Sequence, residues 1–445
     1  MNKEIFKAYD VRGIYPTDID EDAVYKIGRA IVAELDAKSL AVGRDARESG
    51  PALHTALING ITDAGCDVID LNMITTPMLY FSSHQLDVDG AVAVTASHNP
   101  GQYNGIKVCR KNAVPVGSAS GLNNIRDAVI TNDFDAVTNI GIVSQHDIKP
   151  NYYEYFSKFA NFGDRKFTIV VDCANTMGIL ELPFYKKEFA DNFDVIELYC
   201  DLDNAYNAHE ANPLNTDTLG ELQTKVIEEG ADLGIAYDGD ADRIGFVDET
   251  GAIIPMDLTT GLIAKVLLET NPDSTILYDL RSSRAVKEVI EENDGIAHEC
   301  RVGHAFIKQQ MIEENALFAG ELSGHYYFQA NKNGEVSTLA AFTLLNLMTE
   351  TNKKISELIK DLRRYSHSGE INSDVQDKDS IIAKLKEKYS DGELSELDGI
   401  KIDFPDWWFN VRASNTEPVL RLNCEAKTQE QMEEKRDELL AIIRG

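Results

Sequence analysis

Apolar and polar positions follow one another along this chain in a repeated order: a short β-branched run, a polar loop, then a segment with helical spacing. "SLAVGRDAR" (39–47) comes first, and the following "LHTALINGITDAG" puts Leu53, Leu57, Ile61 and Ala64 on one helix face. "CDVIDL" and "AVAVTAS" read as further strands. After "ANFGDRK" the order restarts with "FTIVVDCANTMG" (167–178), and "ADLGIAYDGDADR" (231–243) with "IGFVDETG" (244–251) reads as strand, loop and strand. "STILYDLRSSR" (274–284) starts it a third time and "LFAGELSGHYY" (317–327) closes it.

After residue 365 the pattern changes. "YSHSGEINSDV" reads as a linker passing into a strand, and "GIKIDFPDWWFNVRASNTEPVLRLNCEA" as antiparallel strands with turns. "TQEQMEEKRDELLAII" is an amphipathic helix with Thr428 and Gln431 at capping-box spacing. Residues 111–150 carry little pattern. Strands alternating with helices imply α/β domains, with the polar loops at the carboxyl ends of strands, where open sheets hold ligands. We expect three α/β domains over 1–148, 149–250 and 251–365, and a smaller α+β domain over 366–445.

Composition narrows the function. The 445 residues exceed what one core supports, and 43% hydrophobic with 26% charged residues describes an ordinary globular protein. No apolar stretch approaches a membrane span, and "MNKEIFKAYD" lacks an apolar signal core. A cytoplasmic protein with no membrane partner is expected. Six cysteines without a CxxC pair point to free thiols rather than a zinc or disulfide framework. The net charge of −31 leaves no basic field for nucleic acid. An anionic small molecule would need a locally basic pocket.

Four loops carry candidate chemistry. In "TASHNP" (95–100), Ser97 and His98 fall where a buried strand ends; the residues make a turn, or Ser97 is a nucleophile. No Gly-x-Ser-x-Gly elbow surrounds it, which disfavours a serine hydrolase. "DGDADR" packs Asp238, Asp240 and Asp242 at alternate positions, and a divalent cation relieves such repulsion. Arg243 stands where a calcium loop needs glycine, so oxygen ligands with open positions favour Mg²⁺. "RASNTEP" offers the Arg412 fork with Ser414, Asn415 and Thr416 as neutral donors for a phosphate. "GELSGH" sets Glu321 and Ser323 to grip sugar hydroxyls, with His325 beyond. "GRDAR", "YDVRG", "NGIK" and "VGHAFIK" each place a cation in a loop; singly, each reads as a surface ion pair. Together the loops point to a serine phosphorylated beside a three-carboxylate Mg²⁺ site.

These four loops, in this order, with "KAYDVRG" and "GHAFIK", resemble the signature loops of the α-D-phosphohexomutase superfamily, most of all its bacterial phosphomannomutase/phosphoglucomutase members. The resemblance implies four domains around a central cleft, the three α/β ones similar and built on mixed sheets, with one loop from each domain. It implies that Ser97 carries the phosphate, and that Asp238, Asp240 and Asp242 hold Mg²⁺ with an oxygen of that phosphate. Glu321 and Ser323 would bind the sugar, and Arg412 to Thr416 its phosphate. Phosphate would pass between the 1- and 6-positions of mannose or glucose through a hexose 1,6-bisphosphate. Lys107, His304 and His325 are candidate acid/bases, with Arg12 and Arg243 stabilising charge. "HEANP" (209–213) resembles a sugar-side loop and brings in His209. The partners implied are small hexose phosphates, and a monomer or weak homodimer is expected.

Three positions depart from the family pattern. Gly101 replaces a common second proline, which would loosen the catalytic loop; Arg281 replaces a frequent lysine; "YYFQANKNGEVST" lacks an acidic stretch. They bear on substrate preference. The competing readings are a phosphoglucosamine mutase, a sugar-phosphate hydrolase, and a catalytically inactive sugar-phosphate-binding protein.

Overall fold

The computed structural model describes residues 2–134, 139–413 and 419–445, folded around four sheets. In the first, Gly90–Val94, Ser39–Arg44, Asp67–Met73 and Val143–Gln145 run parallel, and Tyr103–Arg110 and Val11–Ile14 add antiparallel strands beside Gly90–Val94. The second has a parallel core of Phe193–Leu198, Phe167–Asp172 and Leu233–Tyr237, extended antiparallel by Ile244–Asp248 and Ile253–Ile254. The third repeats this plan: Ile296–Cys300, Thr275–Asp279 and Phe318–Gly320 are parallel, then Tyr326–Phe328 and Gly334–Glu335 antiparallel. The fourth sheet is antiparallel throughout, centred on Trp407–Ala413 and Val419–Ala426. Three mixed α/β units and a C-terminal α+β unit are present.

A shared local geometry positions the loops read from the sequence. In each α/β unit the last parallel strand turns back into an antiparallel neighbour, pairing Val94 with Ile106, Tyr237 with Ile244, and Gly320 with Tyr326. "TASHNP", "DGDADR" and "ELSGH" are the tips of those hairpins, at the carboxyl ends of buried strands. Leu233–Tyr237 and Ile244–Asp248 are buried at every residue, so only the tip is left for chemistry. Strands on both flanks also dispose of a calcium helix–loop–helix.

Helices cover the sheets by their apolar faces. Leu53, Leu57 and Ile61 of helix Gly50–Asp63 are fully buried. Thr428 caps helix Gln429–Arg444 by accepting from the Gln431 N–H at 3.2 Å, and Met432, Leu439 and Ile443 form its buried face. One hydrophobic cluster runs continuously through all three α/β units, from Phe81 through Tyr152 and Phe184 to Phe342. The C-terminal unit has a separate core built on Trp407, Phe409 and Leu439. It meets the third unit partly through polar contacts, such as the Arg284 N–H donating to Glu425 at 3.0 Å. Among the described residues no helix is long and apolar enough to cross a membrane, and the cysteines are free thiols.

Candidate active site

Ser97 lies on the cleft floor in a left-handed conformation, φ 50°, which a residue with a Cβ adopts at a cost of about 1–3 kcal/mol unless its surroundings enforce it. Arg47 enforces it. Wholly buried and held by Asp45 at 3.0 Å, its guanidinium donates to the carbonyls of Ser97 (2.7 Å), Asn99 (2.6 Å), Pro100 (2.7 Å) and Tyr103 (3.1 Å). The Tyr206 ring covers it at 4.3 Å. The Ser97 hydroxyl donates to Asp238 Oδ2 at 3.0 Å and lies 3.2 Å from His98 Nδ1. Gly101 packs this loop against the 203–206 segment. It lets the backbone approach so closely that a Cβ there would fall 2.2 Å from the Ala205 carbonyl oxygen.

Asp238, Asp240 and Asp242 are buried, and each offers a carboxylate oxygen within 4.8 Å of the others. Lys107 reaches across from the first unit, its Nζ 2.7 Å from Asp240 and 2.6 Å from Asp242. Thr76 donates to Asp240 at 2.6 Å from the start of helix Thr76–Gln85. Burial opposes the Lys107 charge, but the two carboxylates raise its pKa and keep it an ammonium. Even so the cluster is under-compensated. Asp240 Oδ1 is buried with no hydrogen-bond donor among the described residues, Asp242 Oδ1 meets His325 Nε2 at 3.3 Å, and burial plus its two neighbours push Asp238 well above the usual carboxylate range. Three clustered carboxylate oxygens, with Asp240 Oδ1 left without a donor, fit a hard divalent cation such as Mg²⁺.

The third unit closes the opposite wall. His325 Nδ1 lies 2.9 Å from Glu321 and 2.8 Å from Ser323 Oγ; its Nε2 lies 3.3 Å from both Asp242 Oδ1 and Arg243 Nε. Burial disfavours the imidazolium, yet Asp242 and Glu321 carry its pKa up to about 9. Arg243 and His325 also share a backbone bridge that joins the metal and sugar loops. His304, at the start of helix His304–Glu314, is held neutral by burial and by Lys308 and Lys107. Arg12 donates to Asn99 at 2.7 Å and pairs with Asp10.

Arg281 forks onto Asp279 and lies 3.5 Å from Glu321. It shares Glu370 with Arg412 and Arg421, at 3.0, 3.1 and 3.2 Å. Burial opposes the Glu370 charge, but the three guanidinium groups lower its pKa to about 2. Ser414, Asn415 and Thr416 lie outside the described residues.

Two expectations need correction. Surface ion pairs do not account for "GRDAR", "NGIK" and "VGHAFIK": Arg47, Lys107 and Lys308 are buried, and Lys308 pairs with Glu335 at 2.7 Å against the Tyr80 ring. Glu335 thus places a carboxylate within the segment that lacks the acidic stretch. His209 turns toward Asp172 at 3.2 Å and stays off the cleft lining, while Glu210 and Asn212 line it. The sequence reading missed Arg47, Glu370 and Arg421 as site residues.

Ser97, Lys107, Arg12, Arg243, Arg281, His304, Glu321, Ser323, His325 and Arg412 line one cleft of about 860 Å³, to which all four units contribute, a size typical of small-molecule sites. The family models for phosphoglucomutase/phosphomannomutase match domain I at 3–136, domain II at 150–251, domain III at 255–365 and the C-terminal domain at 370–442. A phosphomannomutase from Methanocaldococcus jannaschii is 39% identical, covering 99% of this chain and 97% of its own. A phosphomannomutase/phosphoglucomutase from Pseudomonas aeruginosa is 36% identical over 96% of this chain and 93% of its own. The crystal structure of a phosphoglucomutase/phosphomannomutase family protein from Burkholderia thailandensis superposes with a TM-score of 0.89 at 30% identity, covering 99% and 97% of the two chains.

Proposed function

The chain belongs to the phosphoglucomutase/phosphomannomutase family, and from that premise we propose that it moves phosphate between the 1- and 6-positions of mannose or glucose through Ser97. The observation that carries this is the Ser97 hydroxyl 3.0 Å from Asp238, inside a buried three-carboxylate cluster at the base of a cleft lined by arginines.

A hexose phosphate enters with its phosphate against Arg412 and its hydroxyls against Glu321 and Ser323. Its free hydroxyl oxygen attacks the phosphorus carried on Ser97, the Ser97 O–P bond breaks, and the hydroxyl proton passes to the cleft wall. His304 lines the same cleft and is the group that can take this proton, because burial and the nearby Lys308 and Lys107 keep its ring neutral, whereas Asp242 and Glu321 hold His325 as an imidazolium that serves as a donor. Lys107 is engaged by two carboxylates and serves to hold charge, as do Arg12 and Arg243. Asp238, Asp240 and Asp242 would hold Mg²⁺, which withdraws charge from a phosphoryl group in transfer. The resulting hexose 1,6-bisphosphate turns over in the cleft and returns its other phosphoryl group to Ser97, with the proton going back to the freed sugar oxygen. The same bisphosphate charges resting Ser97.

A single-turnover experiment tests this. Protein charged with glucose 1,6-bisphosphate and desalted should convert added glucose 6-phosphate to bisphosphate, up to one equivalent, as Ser97 loses its phosphate by tandem mass spectrometry. Ser97→Ala should form none. Transfer by Ser97→Ala at the wild-type rate, or release of inorganic phosphate alone, would overturn the proposal.

A further inference from the structure

Glu370 lies in the link between Ser366–His367 and Ile371–Asp374, with its carboxylate between three arginines that line the cleft. Arg281 belongs to the third unit and follows strand Thr275–Asp279; Arg412 and Arg421 sit on the paired strands of the fourth. The two units have separate hydrophobic cores, so this carboxylate is one of the polar ties across their boundary. Arg281 is already answered by Asp279. Arg412, almost wholly buried, meets Glu370 where a substrate phosphate would also bind.

Buried guanidinium groups left without an anion repel one another and lose their hydration. A phosphate offers the same kind of fork acceptor as a carboxylate, so the two compete for the same N–H groups. The turnover of a bisphosphate requires its outer phosphate to leave those groups and the other phosphate to arrive. We propose that Glu370 is an exchange partner for the substrate phosphate, a positioning residue that takes back the guanidinium N–H groups whenever the phosphate lets go. This rests on the mutase reading above. It predicts that Glu370 weakens phosphate binding while speeding reorientation of the intermediate.

The test measures inorganic phosphate binding by calorimetry, which needs no turnover, alongside steady-state kinetics with glucose 1-phosphate. Glu370→Gln keeps the shape and removes the charge. It should bind inorganic phosphate about tenfold tighter, with KM lowered to match, while kcat falls by about tenfold, the scale of one charge-assisted hydrogen bond. Glu370→Asp, charged but shorter, should lie between Glu370→Gln and wild type in both. A purely structural role predicts the opposite: weaker phosphate binding and a raised KM. Unchanged or weakened phosphate affinity in Glu370→Gln with a wild-type melting profile would overturn the proposal. Should that variant melt differently, phosphate binding by Glu370→Asp that is no tighter than wild type would do so instead. Absence of isomer from the wild-type protein would count against the mutase reading alone.

Discussion

Arg47 gives the sharpest test of how the fold prepares Ser97. Its guanidinium is fully buried, ion-paired with Asp45, and donates to four carbonyls of the 97–103 segment. Arg47→Ala removes those donors and leaves Asp45 as a buried carboxylate without its cation. Breaking a buried pair in this way costs about 3–5 kcal/mol, and the lost carbonyl bonds overlap with that figure rather than add to it. The melting temperature of the first unit should fall by roughly 6–20 °C, at roughly 2–4 °C per kcal/mol. Arg47→Lys separates structure from chemistry. An ammonium can keep the Asp45 pair but cannot fork onto four carbonyls. It should melt within a few degrees of wild type yet lose roughly 100-fold in kcat, the scale of misplacing a reacting atom by about 1 Å. Differential scanning calorimetry and a coupled mutase assay read the two quantities. Wild-type kcat in folded Arg47→Lys would refute the claim that this clamp sets the Ser97 conformation.

Further outcomes follow from other contacts. A Cβ at Gly239 would lie 2.2 Å from the Ser97 carbonyl oxygen, so Gly239→Ala should lower kcat by roughly 100-fold with little change in circular dichroism; unaltered turnover would contradict that contact. Excess EDTA should abolish turnover and Mg²⁺ should restore it, given the three clustered aspartates and the orphaned Asp240 Oδ1; activity that persists in EDTA would contradict a metal role for the aspartates. Glu181, buried among Thr75, Tyr152 and Thr338 donors, has its pKa raised by burial from 4.5 to about 7. Between those values the native state binds more protons than the unfolded one, so this group's contribution falls as pH rises through the window, by about 3 kcal/mol in all. Glu181→Gln should therefore gain stability relative to wild type between pH 4.5 and pH 8, and parallel melting curves for the two proteins would contradict this.

The hairpin tips were legible in the sequence because each is local. Asp238, Asp240 and Asp242 lie within five residues between two apolar strands, so their crowding needs no tertiary knowledge. Arg47 was not legible, because its carbonyl partners lie about 50 positions away and a loop arginine beside an aspartate resembles a surface pair. Glu370 sits in a stretch that reads as a linker, and only the fold brings Arg281 to it from 89 positions away. Strand Val143–Gln145 left no trace either: all three residues are exposed, so no alternation marks it. Helix Leu122–Thr131 buries only Leu122, Ile125 and Val129, which keep helical spacing but are too few in a ten-residue segment to stand out. His209 was drawn in by its neighbours, whereas its ring satisfies Asp172.

The most direct test is a phosphorus-NMR time course on the wild-type protein with Mg²⁺ and a trace of glucose 1,6-bisphosphate. Mannose 1-phosphate, glucose 1-phosphate and glucosamine 1-phosphate go into separate tubes. Conversion of the first two to their 6-phosphates, with the amino sugar much slower, is the predicted result. Faster turnover of the amino sugar would contradict the sugar assignment, and release of inorganic phosphate alone would contradict the mutase.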